Sequence, residues 1–449
     1  MFRKILVANR GEIALRVIRA CREMGIRSVI AHSEADRNSL PVRMADERIC
    51  IGPGPSGKSY LNIPNIISAA FISDAEAIHP GYGFLSENTS FAEICHDVNM
   101  TFIGPSASVM AVMGDKVSAR EAMVRAGLPT LPGTSVVRTL ADARDAIRKI
   151  GFPLMLKAVA GGGGRGIRLV KRSDEFDRIF TVAQNEVREA FRDDGIYFER
   201  YLERARHIEI QVLVDNYGNG IHLGERNCSC QRRNQKVLEE SPSPLLPREL
   251  CDEIGQKAIQ AVQEVGYRNA GTLEFLVDEQ NRYYFMEMNT RLQVEHPVTE
   301  MVTSLDLVKE QIRIAAGMPL RLRQENVQLR GHAIECRITA EDADADFRPQ
   351  TGIVEQYLPP GGPGVRVDSH LYAGYEVPPH YDSLLAKLVV WGENRNEAIT
   401  RMQRALDEFV IEGLTTTIPF HQRLLKHEGF ISGDTYTRFL QEEASSLGL

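Results

Sequence analysis

Gly271-Thr272-Leu273-Glu274-Phe275-Leu276-Val277 and Tyr283-Tyr284-Phe285-Met286-Glu287-Met288-Asn289 flank a short polar turn, Asp278 to Arg282. Apolar and aromatic runs on either side of such a turn predict an antiparallel hairpin. Pairing about the middle of the turn puts Glu274 opposite Glu287. Two like charges opposite one another destabilise a sheet unless a cation sits between them. Mg²⁺ carried on ATP phosphates fits, because it takes one or two protein carboxylates and keeps the rest of its shell for phosphate and water. Asn289, two residues beyond Glu287, faces the same way. The plainer alternative is a solvated acidic strand face.

Downstream of the hairpin the chain runs Asn289-Thr290-Arg291-Leu292-Gln293-Val294-Glu295-His296-Pro297. If this stretch continues extended, Arg291, Gln293 and Glu295 point together toward the metal face: a cation and a donor for a small anion, beside a carboxylate able to take a proton. Lys236, in Gln231-Arg232-Arg233-Asn234-Gln235-Lys236, and Arg337, in Ile334-Glu335-Cys336-Arg337, are further cations that would pass for surface residues if taken alone. Upstream, the apolar Pro153-Leu154-Met155-Leu156 ends in Lys157. Gly161-Gly162-Gly163-Gly164-Arg165-Gly166 and a second strand, Ile167 to Val170, follow. Four consecutive glycines cannot stabilise a helix or strand. They predict a mobile flap whose bare N–H groups close over a polyphosphate, with a plain hairpin tip as the alternative.

A louder match to a phosphate-loop pattern, Gly52-Pro53-Gly54-Pro55-Ser56-Gly57-Lys58-Ser59, is set aside. Such a loop needs its helix to start at the Gly-Lys-Ser itself. Here Pro64 predicts a helix start near Ile63-Pro64, too late to present N–H groups to phosphate. Cys228-Ser229-Cys230 lacks a second pair at zinc-like spacing, which argues against a structural metal there.

The chain has 449 residues, 43% of them apolar, which predicts two or three domains. Its formal charge of -7 supplies no global field for nucleic acid or an anionic membrane. The N-terminal apolar run is too short for a signal or a span, and seven scattered cysteines suit a reduced, cytoplasmic protein. Strands at residues 4 to 8, Ser28 to His32, Ala77 to His79 and Thr101 to Ile103, with a helix from Gly11 to Gly25, predict a Rossmann-like α/β unit. Its first turn, Asn9-Arg10-Gly11-Glu12-Ile13, lacks the three glycines of a dinucleotide site. A boundary is expected near 113 and a third region near 330. From 205 onward His207, Glu209 and Gln211 alternate with Ile208, Ile210 and Val212, so one face is expected to be polar and accessible.

Together with Asn9-Arg10-Gly11-Glu12-Ile13-Ala14, His79-Pro80-Gly81-Tyr82-Gly83-Phe84-Leu85-Ser86-Glu87-Asn88, Met113-Gly114-Asp115-Lys116 and Met286 to Glu300, these segments resemble the ATP-grasp superfamily, and within it the biotin carboxylases. The resemblance covers essentially the whole chain. It implies an α/β ATP-grasp fold with a Rossmann-like N-terminal domain at 1–113, an ATP-grasp domain at 114–330 with a glycine-rich lid at about 131–203, and a C-terminal domain at 331–449. The implied reaction is ATP-dependent carboxylation of biotin with bicarbonate through carboxyphosphate. That is the first half-reaction of acetyl-CoA carboxylase, in fatty acid biosynthesis, or of a related carboxylase.

By the same resemblance, Lys116, Lys157, Gly163, Gly164 and His207 contact ATP phosphates, Glu199, Arg200, Tyr201 and Leu202 form the adenine hinge, and Gln231 and Asn234 lie by the nucleotide. Glu274, Glu287 and Asn289 match Mg²⁺ or Mn²⁺ positions. Lys236, Arg291, Gln293 and Val294 hold bicarbonate, Glu295 is its general base, and Arg337 stabilises the biotin enolate. Asn234, Arg200 and Pro363 depart from the histidine, lysine and phenylalanine common in relatives. With no Met-Lys-Met biotin-attachment signature, a separate biotin carboxyl carrier protein is expected, together with carboxyltransferase subunits and a homodimeric state. Another ATP-grasp ligase would share the ATP and metal residues, but not Arg291 to Glu300 or Glu335-Cys336-Arg337 in this form.

Overall fold

The structure is a computed structural model and describes residues 1–159, 167–191 and 195–449. Gly163 and Gly164, with the rest of the glycine run, lie outside the described residues. The N-terminal region is a wholly parallel five-stranded sheet, with β1 Lys4–Val7, β2 Arg27–His32, β3 Glu47–Cys50, β4 Ala77–His79 and β5 Thr101–Phe102 in the order β3-β2-β1-β4-β5. Ile5, Leu6 and Val7 are buried without alternation, as expected of a parallel strand covered on both faces. The helix Gly11–Glu23 starts directly after β1, through a glycine at φ +66.

The phosphate-loop look-alike is a surface turn. Ser56–Lys58 makes a single short turn, and the helix Ile63–Ile72 begins later, where the Asn62 side chain accepts the Asn65 N–H at 3.1 Å.

A small antiparallel sheet follows, with β6 Leu154–Ala158, β7 Ile167–Val170 and β8 Ile196–Arg200 in the order β7-β6-β8. It has a core of its own, in which Leu154, Leu156 and Val170 meet Phe176, Phe180 and Phe198. The end of β8 is tied to the chain that enters this unit, since Arg200 N–H donates to Pro132 O at 2.8 Å.

The site is built on an eight-stranded antiparallel sheet. Its strands are β9 Arg206–Val214, β10 Gly220–Arg232, β11 Gln235–Ser241, β12 Asn269–Val277, β13 Tyr283–Asn289 and β14 His332–Thr339, joined by Leu384–Gly392 and Val365–Ser369. The order is β13-β12-β9-β10-β11-β14, then 384–392 and 365–369. The break expected near 330 therefore divides the chain but not the sheet: β11 pairs directly with β14, Leu238 opposite Cys336 and Ser241 opposite Ala333.

One expectation is corrected. The face carrying His207, Glu209 and Gln211 is polar but not accessible, and all three are buried. Glu209 and Gln211 are covered by Arg226 on β10, itself fully buried, which bonds the Glu209 carboxylate, Gln211 Oε1 at 2.9 Å, Thr299 Oγ1 at 2.9 Å and Thr272 Oγ1 at 3.2 Å, while His207 at the cleft is packed between Gln231 and Glu274. A buried guanidinium is tolerable only when its donors are so satisfied.

Candidate active site

A cleft of about 1220 Å³ lies over this sheet and is walled by the N-terminal unit, the small β6–β8 sheet and the C-terminal region. Every described candidate residue from the sequence lines it. The hairpin has the expected register, Glu274 opposite Glu287 and Thr272 opposite Asn289, with a bulge between Glu274 and Phe275.

The two carboxylates sit in different surroundings. Glu274 is buried and fully engaged: Lys236 Nζ and Gln293 Nε2 each donate to Oε1 at 3.0 Å, Asn289 Nδ2 donates there at 2.8 Å, and His207 Nε2 lies 2.8 Å from Oε2. Burial alone would raise its pKa, but Lys236 and His207 outweigh that and hold it well below the usual carboxylate range. Glu287 opens to the cleft. The surrounding protein, then the Glu274 charge, push its carboxyl up against the opposing pull of Lys116, His207 and Lys157. A strand pair with one carboxylate satisfied and the other raised by its neighbour suits a cation, and its donors are the hard oxygens that Mg²⁺ prefers.

Beyond β13 the chain does not stay extended. It turns at Val294-Glu295 into the helix His296–Thr303, with Glu295 at φ -79 and ψ 11. Arg291, Gln293 and Glu295 nonetheless share the cleft. Arg291 bonds Gln293 Oε1 at 2.7 Å, Asn289 Oδ1 at 2.9 Å and Glu87 Oε2 at 2.9 Å. Glu295, fully buried, takes Lys236 Nζ on Oε1 at 2.7 Å and Arg337 Nη2 on Oε2 at 3.0 Å. Burial would raise its pKa, but Lys236, Arg337 and Arg226 hold it far below the ordinary range. Lys236 also binds Glu209 Oε2 at 2.8 Å, so one ammonium serves three carboxylates. Arg337 is braced from behind, where its Nε donates to Glu239 Oε1 at 2.7 Å.

At the outer end of the cleft, Lys157 on β6 meets Glu199 Oε2 on β8 at 2.5 Å, and Arg120 reaches Glu199 Oε1 at 3.0 Å. Lys116 is the first residue of a helix whose Asp115 cap accepts the Ser118 N–H at 2.7 Å. Gln231 Nε2 lies 2.6 Å from His207 Nδ1 and donates to Cys228 O at 2.8 Å. Asn234 forms the β10–β11 turn at φ 64, a conformation asparagine tolerates. Arg200, Tyr201 and Leu202 lead out of β8 along the same wall.

Sequence reasoning missed Glu209, Arg226, Glu239 and Lys387, and assigned no role to Glu12 or Glu87. Alternation along β9 had put Glu209 beside His207. Nothing local marked Arg226, whose partners come from four separate segments.

The chain matches the family model for the biotin carboxylase N-terminal domain over residues 1–110. It matches the model for the carbamoyl-phosphate synthase L chain ATP-binding domain over 115–323, and that for the biotin carboxylase C-terminal domain over 335–442. A biotin carboxylase of Nostoc sp. is 60% identical over 442 residues, which is 98% of this chain and 99% of the relative. The chain belongs to the biotin carboxylase family. Biotin carboxylase 1 of Bacillus subtilis is 56% identical over 98% of both chains. Among solved structures, the biotin carboxylase domain of the Hydrogenobacter thermophilus 2-oxoglutarate carboxylase superposes with a TM-score of 0.95 at 49% identity. It covers 100% of this chain and 99% of that one, and was solved as a dimer with MgADP, ADP and bicarbonate. As a member of this family the protein is an ATP-dependent ligase. Among the described residues no helix is long and apolar enough to cross a membrane.

Proposed function

We propose that this cleft carboxylates biotin on a carrier protein, using ATP and bicarbonate. The observation that supports this most directly is the buried Glu295 carboxylate, flanked by Lys236 at 2.7 Å and Arg337 at 3.0 Å on the same sheet as the Glu274–Glu287 pair. An ionised carboxylate beside two fixed cations is suited to hold a small oxyanion and take its proton.

In this reading Lys236, Arg291, Gln293 and the Val294 backbone hold bicarbonate, and Glu295 removes its proton as the bicarbonate oxygen attacks the γ-phosphate. Lys116, Lys157, His207 and the Gly163-Gly164 segment hold the phosphates, which leaves positioning and charge neutralisation as the main contributions to phosphoryl transfer. Glu199 to Leu202, with Gln231 and Asn234, border the nucleoside. Mg²⁺ or Mn²⁺ would be held by Glu274, Glu287 and Asn289, and supplies neutralisation of phosphate charge when bound. Carboxyphosphate breaks into CO₂ and phosphate, and the phosphate takes the proton from biotin N1. Arg337 meets the enolate that develops, and the biotin nitrogen then attacks CO₂. The units 1–113, 114–330 and 331–449 are the proposed functional divisions, with 131–203 closing to keep water from carboxyphosphate.

A biotin carboxyl carrier protein, carboxyltransferase subunits, a second copy of the chain and a cytoplasmic setting belong to the same proposal. The test is ATP hydrolysis by the purified chain with Mg²⁺ and bicarbonate, with and without free biotin, following ¹⁴C-bicarbonate into carboxybiotin. Biotin-stimulated hydrolysis with label incorporation is expected. Turnover indifferent to biotin would move the assignment to another ATP-grasp ligase.

A further inference from the structure

Two consecutive carbonyls in the turn before the helix His296–Thr303 are held by buried side chains. Gln293 O accepts from His296 Nδ1 at 2.8 Å, and Val294 O accepts from Lys387 Nζ at 3.0 Å. Lys387 is fully buried on the strand Leu384–Gly392, directly opposite Arg337 on β14. Its other polar partner is Glu12 Oε1 at 3.1 Å, in the Asn9-Arg10-Gly11-Glu12 segment of the N-terminal unit, and the Tyr82 hydroxyl also bonds Glu12. The Lys387 ammonium lies 5.8 Å from the centre of the Tyr82 ring. Of these groups Lys387 touches the Val294 carbonyl, His296 holds the carbonyl one residue earlier, and Glu12 and Tyr82 stand behind the lysine.

The Val294 carbonyl belongs to the peptide group joining Val294 to Glu295. A peptide unit is planar, so fixing the direction of its carbonyl fixes the plane from which Glu295 departs. The Glu295 side chain must reach both Lys236 and Arg337, which stand on neighbouring strands. A small rotation of the 294–295 plane would swing the carboxylate off one of them. A fully buried lysine is costly to desolvate and is retained only where its charge is used.

We propose that Lys387 is a positioning residue for the bicarbonate site: it orients the Val294–Glu295 peptide, and with it the Glu295 carboxylate, while Glu12 serves as its counter-ion. The inference rests on the proposed bicarbonate reading of the cleft. Lys387 itself does not touch substrate. Its effect is selective, because the nucleotide end of the cleft is held by other groups.

The test is steady-state ATP hydrolysis with bicarbonate and ATP varied separately, in wild type, Lys387→Met, Glu12→Gln and the Glu12→Gln/Lys387→Met double variant. The double variant removes both buried charges together and so avoids leaving one of them unpaired. Lys387→Met and the double variant are expected to raise the KM for bicarbonate about tenfold and lower kcat, with the KM for ATP within about twofold of wild type. Glu12→Gln leaves the Val294 bond in place and should change the bicarbonate KM much less. An unchanged bicarbonate KM in the folded double variant overturns the proposal. So do equal effects of Glu12→Gln and Lys387→Met, which would mean that the pair only fastens the N-terminal unit. Failure of both Lys387 variants to fold would likewise assign Lys387 to the fold and not to the site. A wild-type enzyme whose turnover ignores bicarbonate would instead sink the parent reading.

Discussion

Replacing Glu295 with glutamine keeps the side-chain shape but removes the negative charge and the capacity to accept a proton at the site. The surroundings limit the structural damage. Lys236 retains Glu209 at 2.8 Å and Glu274 at 3.0 Å, and Arg337 retains Glu239 at 2.7 Å. Neither cation is orphaned, so the loss of stability should stay below the about 3–5 kcal/mol that follows when a buried charge is stripped of its partner. The chemical cost is separate. A positioned general base contributes about 10²–10⁴ in rate, which is about 2.7–5.4 kcal/mol of barrier.

Glu295→Gln should therefore unfold close to the wild-type temperature while losing two to four decades of kcat in biotin-dependent ATP hydrolysis and ¹⁴C transfer, at about those factors. The pH dependence has a definite sign. Glu295 is held well below its ordinary value in the folded protein, chiefly by Lys236 and Arg337 working against burial. Its ionisation stabilises the fold above the unfolded carboxylate pKa of about 4.3, and that contribution is lost as pH falls through the lower folded value. The stability gap between wild type and variant should be fully open at neutral pH and close in acid. A well-folded Glu295→Gln enzyme with more than about a tenth of wild-type kcat would refute the base assignment.

Lys236→Gln leaves Glu209, Glu274 and Glu295 without their shared ammonium. Arg226, His207 and Arg337 stay beside them, so the cost in urea unfolding at pH 8 should stay below the about 3–5 kcal/mol of a fully stripped buried charge, and be smaller at pH 5.5, where the buried Glu274 and Glu295, no longer held down by the lysine, can bind protons; an equal deficit at both pH values would contradict this. Glu287→Gln, at the carboxylate open to the cleft, should shift the Mg²⁺ concentration for half-maximal ATP turnover upward by about tenfold with little change in the bicarbonate KM, and a Mg²⁺ titration that superimposes on wild type would remove Glu287 from the metal set. His79 is buried, and burial, then Arg16, press its imidazole down from 6.5 to about 3. It is neutral when folded and charges on unfolding, so wild type should lose stability as pH falls from 6.5 toward 3, and His79→Gln should flatten that slope in acid unfolding.

The hairpin was legible because its register follows from counting back from one turn, and the Glu274–Glu287 facing pair is set by that count alone. The parallel N-terminal sheet was legible for a similar local reason, short apolar runs alternating with helical ones. The polar face of β9 was read correctly as polar and wrongly as open. Whether Glu209 and Gln211 meet solvent depends on Arg226 and Lys236, which arrive from β10 and β11, and for His207 on Gln231 and Glu274; alternation within one strand carries no information about what covers it. Lys387 was missed for the same reason. Its two partners, Glu12 and Val294, lie far away in sequence, and the strand holding it reads as an ordinary apolar run. The extended continuation through 289–297 failed at Glu295, where the chain turns into the helix His296–Thr303; Pro297 in its first turn is a helix-start signal that the extended reading passed over.

The direct pairing of β11 with β14 makes residues on either side of 330 one cooperative body. Cutting the chain in the connection near 323–331 should leave a nicked particle that still melts in a single step through this region. Expressing residues 331–449 by themselves would bare the Ala333 to Cys336 edge of His332–Thr339 that β11 covers, on a strand whose Ala333, Ile334, Cys336 and Ile338 are buried apolar residues. Such an edge seeks any available strand. The isolated fragment is then an aggregation hazard, and the two fragments made together should find each other and restore a folded pair.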